Sequence, residues 1–474
     1  MKFTVLNHAG LYVEARGTSL IIDPWIVGSC YWRSWWNYPK AAPFASRLET
    51  LDYIYLTHLH WDHFHGPSLR KLPRDATLLI PEAHFDRFRK DSEGFRFKEI
   101  VEVPHAKTIQ LGNGVDFTTY QYSLFTDSAV VVDDGETTLL DLNDCKITGM
   151  PLDQLRRNHP KVDFVFRSHS SASAYPQCVD AEDADGGSYR SKEDYTSEFV
   201  DTARLLEPKY AIPFASSYCF LHKDTIQYNV DAVSPADVDA YFDQHGPSSS
   251  ECKVMVSGDS WDSQAGFEIA ENDWWSNKDA RVAEYAEEVA PKLEDQYALE
   301  DRTNVKFPRF AKYFQAQIES LPKLSRKIFK PVVVYGLPGR DDIHWVVDYD
   351  QRKVYESDGL PDNWAVRVVM PPIVLRDCLF KKMFSTFSAS KRLHVTVRSG
   401  HMRDYFILFQ LLDMYEYEYF PLRNCFRWRF IKVWLRRWRE VIEYFKLLTS
   451  IVLGRGDDPL SKFVPKVDTG SDPG

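Results

Sequence analysis

The chain has 474 residues, 44% of them hydrophobic and 27% charged, and its 58 Lys and Arg against 68 Asp and Glu leave a net charge of −10. That composition excludes bulk disorder, and the charge argues against a general nucleic-acid binder, which needs a basic face to neutralise phosphates. Seven widely spaced cysteines, an odd number with no CxxC, exclude a disulfide scaffold and a structural zinc ribbon.

No apolar run follows Lys2, and no stretch of about 18 apolar residues occurs, so neither a signal peptide nor a transmembrane helix is expected and the predicted location is cytoplasmic. In chain order, residues 2–6, 10–15 and 18–22 are short apolar runs with glycine breaks. They predict a strand meander that ends at Asp23-Pro24-Trp25. Residues 26–46 predict an irregular aromatic loop, either packed on the surface or walling a pocket. LDYIYLT at 51–57 predicts a buried strand, followed directly by HLHWDHFHGPSLRKL, whose end reads as a helix. Further strands are expected at 77–80, 99–103, 115–121, 128–132, 137–141, 163–167 and 210–213. Strands with interspersed helices imply a layered α/β domain over residues 1–260. Residues 261–330 read as a charged helical linker, and 331–454 as a smaller α+β domain. The tail 455–474 is rich in Gly, Pro, Asp and Ser, which predicts disorder.

The strongest chemical signal is Thr57-His58-Leu59-His60-Trp61-Asp62-His63. Four metal-competent side chains lie within six residues, straight after a buried strand. A chain turning out of a strand can aim His58 and His60 at one point, while Asp62 and His63 start the next helix and face a second point nearby. Imidazole and carboxylate suit zinc, iron or manganese. The alternative is a chance cluster in a surface loop, which 14 histidines in 474 residues make a poor account of this spacing.

This HxHxDH pattern is identified as the signature of the metallo-β-lactamase-fold superfamily. The resemblance implies a four-layer αββα sandwich followed by the smaller α+β domain, with two metals at one edge of the two sheets. LIIDPWIVGSCYWRSWW, DYIYLTHLHWDHFHGPSLRKL, LLDLNDC and YAIPFASSYCFLH further resemble the catalytic region of CMP-N-acetylneuraminate hydroxylases. Carried over residue by residue, His58 and His60 match the first-metal pair, and Asp62 and His63 the second-metal pair. Asp144 matches the bridging carboxylate, with Asp141 as the fallback, and His222 matches a late second-metal histidine. The superfamily usually supplies a third histidine to the first metal between the signature and the bridging Asp. Residues 121–127 hold none, and His105 and His169 are the substitutes on offer. His169 follows the apolar strand VDFVF and is expected as a ligand or catalytic residue, against a structural role for a lone histidine. His8 is placed as a residue that supports the ligands.

Residues 425–453 carry apolar residues at helical spacing together with Arg427, Arg429, Lys432, Arg436, Arg437 and Arg439. The expectation is a helix packed on the protein with a solvated basic face; peripheral contact with an anionic membrane, or a dock for an anionic partner, fits the same pattern. The acidic stretch 179–198 reads as a solvated loop, with a lid over the metal edge as the functional alternative.

The expected function is a metal-dependent hydrolase. Two divalent metals would share a hydroxide near Asp144, with Asp62 orienting it toward an ester, lactone, amide or phosphodiester. The first alternative is an iron-dependent oxygenase resembling the hydroxylases. That family draws electrons from its own Rieske-type domain, with paired Cys-x-His and Cys-x-x-His motifs; here only Cys219-Phe-Leu-His222 matches, as a single half. An oxygenase would need a separate electron donor or electrons from its substrate. The second alternative is a non-catalytic scaffold. The expected partner is a small molecule, and the resemblance implies a sugar or nucleotide-sugar.

Overall fold

The computed structural model of the protein describes residues 1–43, 48–182 and 191–452. Two sheets pack face to face. The first runs, in spatial order, Gly266–Glu268, Ser260–Asp262, Lys2–Val5, Leu11–Ala15, Thr18–Ile22, Tyr53–Tyr55, Thr77–Pro81 and Glu99–Val103. The second runs Glu251–Cys252, Tyr210–Phe214, Phe164–Ser168, Thr138–Asn143, Asp127–Asp133, Asp116–Tyr122 and Thr108–Gln110. Side chains alternate between faces with the pleat. Val130, Val132 and Leu139 enter the core between the sheets with Leu20, Ile22 and Leu79. Their neighbours Val131 and Leu140 turn outward under the helix Gly149–Asn158, which contributes Leu155. Ile54, Leu78 and Ile80 do the same on the first sheet, beneath Leu69 and Phe88 of the helices Gly66–Leu69 and Arg87–Glu93. The helices Lys192–Leu206 and Pro235–His245 pack together over Ala211 through Phe199, Val200, Val238 and Phe242. Each begins with a capping box, Ser191 with Asp194 and Ser234 with Asp237. This is the expected four-layer sandwich.

Topology places the site. Thr18–Ile22, Tyr53–Tyr55 and Thr77–Pro81 are parallel, so their C-terminal ends share one edge. Thr138–Asn143, Phe164–Ser168 and Tyr210–Phe214 are parallel in the second sheet and end together likewise. Residues at or just after the ends of these strands, including Asp23, Thr57, Asn143 and Asp144, therefore collect at one edge, where such sheets bind ligands.

Several expected boundaries differ. The hairpin 260–268 joins the first sheet by pairing with Lys2–Thr4, so the sandwich extends past residue 260. The segment 261–330 is no spacer. Its helix Lys278–Asp301 packs Val282, Tyr285, Val289 and Leu293 on Trp36, Tyr38 and Leu221. Its helix Phe307–Ser320 puts Phe310, Phe314 and Ile318 into the C-terminal core. That core lies on a six-stranded sheet, Val179–Ala181, His394–Val397, Trp364–Val369, Val332–Leu337, Arg340–Asp348 and Lys353–Ser357. The start of the expected 179–198 loop is thus a strand of this third sheet, and its end is the helix from Lys192; residues 183–190 lie outside the described residues. The aromatic loop folds into Ser29–Cys30 and Trp35–Asn37, which pair with each other and with Tyr218–Phe220.

The expected single helix over 425–453 is two, Trp428–Arg436 and Trp438–Val452, broken at Arg437. Arg437 is buried, ion-paired with Glu440 at 2.6 Å, and donates to the Ser123 carbonyl. The basic face points inward, against the expectation of a solvated one. Lys432 and Arg436 bind Glu82, and Arg429 binds Glu102. Trp428, Leu435 and Phe445 point outward, 72%, 63% and 65% exposed. No helix among the described residues is long and apolar enough to cross a membrane. The tail 455–474 lies outside the described residues.

Candidate metal centre

The signature leaves Tyr53–Tyr55 as a tight turn, closed by His63 N–H and Phe64 N–H donating to the His60 carbonyl at 3.1 and 2.7 Å. Asp62 and His63 lie within this turn, and the next helix starts only at Gly66, later than predicted. The turn gathers two groups of candidate ligands. His58, His60 and Asp144 form one; His8, Asp62 and His63 form the other. Within each group the ligand atoms lie within 4.8 Å of one another. The groups touch: His63 Nε2 lies 3.1 Å from Asp62 Oδ2 and 3.3 Å from Asp144 Oδ2. His8 Nε2 is 3.0 Å from Asp62 Oδ2, and His58 Nε2 is 2.9 Å from His60 Nδ1.

Neighbouring residues fix these side chains. Asp23 Oδ2 accepts from His63 Nδ1 at 2.7 Å, from Thr57 Oγ1 at 2.6 Å and from Asn143 Nδ2 at 2.7 Å. With its hydroxyl donated to Asp23, Thr57 accepts from His58 Nδ1 at 2.9 Å. Nδ1 of both imidazoles is therefore engaged and Nε2 of each faces the centre, an orientation assigned from the bonding network. Tyr31 from the aromatic loop donates to Asp62 Oδ1 at 2.6 Å, leaving Oδ2 to the histidines.

Charge is the dominant feature. Burial would lower the His63 pKa, but the Asp62 and Asp23 carboxylates outweigh it and hold it well above the ordinary histidine range. Burial would raise the Asp62 carboxyl, but His63 and His8 outweigh it and hold it well below. His58 is pushed well down by burial and by His63, and His60 down by burial against the opposing pull of Asp62. The ion-pair partners of Asp23 and Asp62 among the described residues are histidines alone.

Of the residues expected from sequence, His58, His60, Asp62, His63 and Asp144 come together. His222 does not. Its Nε2 lies 3.5 Å from Glu300 and its Nδ1 3.6 Å from Asp224, in a cluster where Arg392 donates to both Glu300 oxygens at 2.6 Å. His8, from the turn of the N-terminal meander, occupies the third place beside Asp62 and His63 instead. His169 joins neither group; burial lowers its pKa to about 3, so it is neutral. His105 is engaged elsewhere, accepting from Gln121 N–H at 3.0 Å. Asp141 also stays outside the groups and accepts from Asn143 N–H at 2.9 Å. Asp127 escaped the sequence reading, which sought a histidine in 121–127. Burial and the Asp144 charge push its carboxyl up to about 7.

Residues 2–171 match the beta-lactamase superfamily domain. A Mycobacterium tuberculosis protein provisionally named a Rieske 2Fe-2S iron-sulfur protein is 27% identical over 428 residues, covering 80% of this chain and 78% of its own. The inactive cytidine monophosphate-N-acetylneuraminic acid hydroxylase of Homo sapiens is 24% identical over 241 residues, covering 47% of this chain and 46% of its own length. Among solved structures, an isothiocyanate hydrolase from Delia radicum gut bacteria superposes with a TM-score of 0.40 at 14% identity, covering 55% of this chain and 98% of that one. Residues 2–171 of this chain are thus similar to the beta-lactamase superfamily domain, and they contribute to an αββα sandwich whose histidines and aspartates gather where the two sheets end.

Proposed function

We propose that the chain is a two-metal, iron-dependent oxygenase that hydroxylates a small molecule and takes its electrons from a separate donor. The observation that carries the metal reading is the convergence of the two three-residue groups through His63 and Asp144. The donor set fits: four imidazoles and two carboxylates suit iron as well as zinc. His63 Nε2 is buried with no hydrogen-bond partner among the described residues, although two carboxylates lie within 3.3 Å. Buried carboxylates whose ion-pair partners among the described residues are histidines alone call for a further cation. His58, His60 and Asp144 would hold one ion, and His8, Asp62 and His63 the other. Two irons held there would supply the oxygen-activating redox chemistry.

The chain's own residues orient and shield. Asp23 and Thr57 set the two imidazoles, and Tyr31 sets Asp62. Trp25, Tyr31 and Trp35 wall the site with buried rings that exclude water. Iron over zinc, and hydroxylation over hydrolysis, is supported by the names of relatives aligned with this chain, a Rieske 2Fe-2S iron-sulfur protein and the cytidine monophosphate-N-acetylneuraminic acid hydroxylase of Asterias rubens. Hydroxylation puts one oxygen of O₂ into a C–H bond, reduces the other to water, and consumes two electrons and two protons. Cys219 and His222 do not supply those electrons: Cys219 is buried among Trp36, Leu221 and Tyr285, and His222 faces Glu300. A separate donor meets the need.

Hydrolysis is the second reading, favoured by the lack of paired Cys-x-His and Cys-x-x-His motifs in the sequence. The same residues holding zinc would activate water against an ester, lactone, amide or phosphodiester. Oxygen uptake separates the two. Iron(II)-loaded protein supplied with a chemical reductant is expected to consume O₂, and His60→Ala to abolish the uptake. Turnover of lactone or phosphodiester substrates by zinc-loaded protein, without O₂ uptake by the iron form, would replace oxygenation with hydrolysis. The proposed substrate is a sugar or nucleotide-sugar, as in the hydroxylase relative's name. The proposed partners include an anionic membrane, met peripherally through the exposed Trp428, Leu435, Trp438 and Phe445.

A further inference from the structure

A cavity of about 470 Å³ opens between the loop 170–177, the start of the helix Lys192–Leu206, the segment 218–233 and Lys391. None of its lining residues belongs to the two metal-ligand groups. Tyr218 separates it from them: its ring stacks on Trp35 at 3.6 Å and meets the His8 ring edge-on at 5.6 Å. The cavity is therefore a site apart from the metal centre, sharing one wall with it.

Its lining has a particular chemistry. Lys391 comes from the C-terminal part of the chain and is buried. Its backbone is left-handed, with φ 53°, as the cap that ends the 3-10 helix Phe387–Ser390. Its ammonium lies 5.2 Å from the Phe220 ring and 5.3 Å from the Tyr228 ring, and donates to Gln177 Oε1. Lys192 adds a second cation at the opening. Ser171 and Ser173 accept from the N–H groups of Ser173 and Tyr175 at 3.1 and 3.2 Å, which turns their own O–H hydrogens to donation. Two cations, hydroxyl donors and aromatic faces are the means by which proteins hold an acid group and the ring that carries it.

We propose that this cavity binds a small organic anion, a phosphate or carboxylate borne on a ring. The acid group would lie on Lys391 and Lys192, and the ring against Tyr228 and Tyr195. Binding itself needs no metal, so this inference and the metal reading fail separately.

Calorimetric titration of the full chain tests it, with four probes: phenyl phosphate, benzoate, benzyl alcohol (ring without charge) and inorganic phosphate (charge without ring). One of the two ring acids is expected to bind at least about tenfold more tightly than both benzyl alcohol and inorganic phosphate, with metal bound and after chelation. The tighter of the two identifies phosphate or carboxylate. Lys391→Met is expected to weaken that binding about tenfold, and Lys391→Arg to retain it, with metal content unchanged in both. Should Lys391→Met not fold, Lys192→Met, at an exposed helix start, carries the same expectation. Equal binding of benzyl alcohol, no binding of either ring acid, or undiminished binding by the folded Lys→Met variant would overturn the proposal.

Discussion

At the scale of residues, the centre is assembled from two kinds of information. His58, His60, Asp62 and His63 were legible because they are contiguous and follow a buried strand. Asp144, just after the strand Thr138–Asn143, was reached through the family resemblance. His8 was not: it sits alone in a turn between two short strands, with no local pattern that marks a ligand, and only sheet packing carries it to Asp62. His222 sits in a sequence context like that of a late ligand, yet Arg392, Glu300 and Asp224 claim it. This difference is directly measurable. His8→Ala is expected to lower metal affinity at least about tenfold, whereas His222→Ala should leave metal content intact and cost stability. Elemental analysis of both variants after dialysis distinguishes them, and the reverse pattern would return His222 to the centre.

The His222 cluster also predicts an acid-sensitive contact. Burial would raise the Glu300 carboxyl, but hydrogen bonds from Arg392 and His222 outweigh it and bring its pKa down to about 2. Arg392, His222 and Gln296 all face it, and Asp224 shares the Arg392 guanidinium. A carboxylate depressed in the fold stabilises fully above its ordinary pKa, about 4.3, and loses that stabilisation as pH falls toward 2. Glu300→Gln should therefore be less stable than wild type at pH 7, with the gap closing between about pH 4.5 and 2. Denaturant unfolding at a series of pH values checks this, and a gap that stays constant would remove the ion pair from the account.

At the scale of elements, strands read well and long-range placements did not. The period-two alternation of Val130–Val132 and Leu139–Leu140 marks both strands and both faces. Trp364–Val369 lies in a region read only as a smaller α+β domain, and the hairpin 260–268 fell across an expected boundary; each is settled by pairing with other strands, for the hairpin far away in sequence. The C-terminal helices show how packing overrides periodicity. Their spacing predicts an apolar face inward, but Glu82 and Glu102 on the sandwich draw Arg429, Lys432 and Arg436 inward and leave Trp428, Leu435, Trp438 and Phe445 at the surface. Exposed Trp and Phe beside Arg439 and Lys446 fit the headgroup region of an anionic bilayer. The protein is expected to float with phosphatidylserine vesicles, and Trp428→Ser with Trp438→Ser to reduce that flotation several-fold. Failure of the wild type to float would leave this face without a lipid partner.

At the scale of the whole molecule, the expected division into domain, linker and domain gives way to an interlocked body. Trp35 Nε1 donates to the Ala389 carbonyl at 2.8 Å, and Ser34 Oγ to the Ser390 carbonyl at 2.7 Å. Arg392 reaches Asp224 and Glu300, and Tyr419 donates to the Leu124 carbonyl at 2.6 Å. One aromatic core runs from Trp25 and Trp35 into Phe310, Val333 and Leu408. The sequence could not reveal this, because each half reads as a self-sufficient alternation of strands and helices. Such sharing predicts a single calorimetric unfolding transition, and two resolved transitions would restore separate domains.

The central claim is that the sheet edge holds two irons. Elemental mass spectrometry with Mössbauer spectroscopy, on protein purified without oxygen, tests it most directly. The account predicts about two irons per chain with the signature of a coupled pair. Two zincs with no iron would keep the centre and move the chemistry to hydrolysis. One metal per chain, or none retained, would contradict the two-metal centre itself.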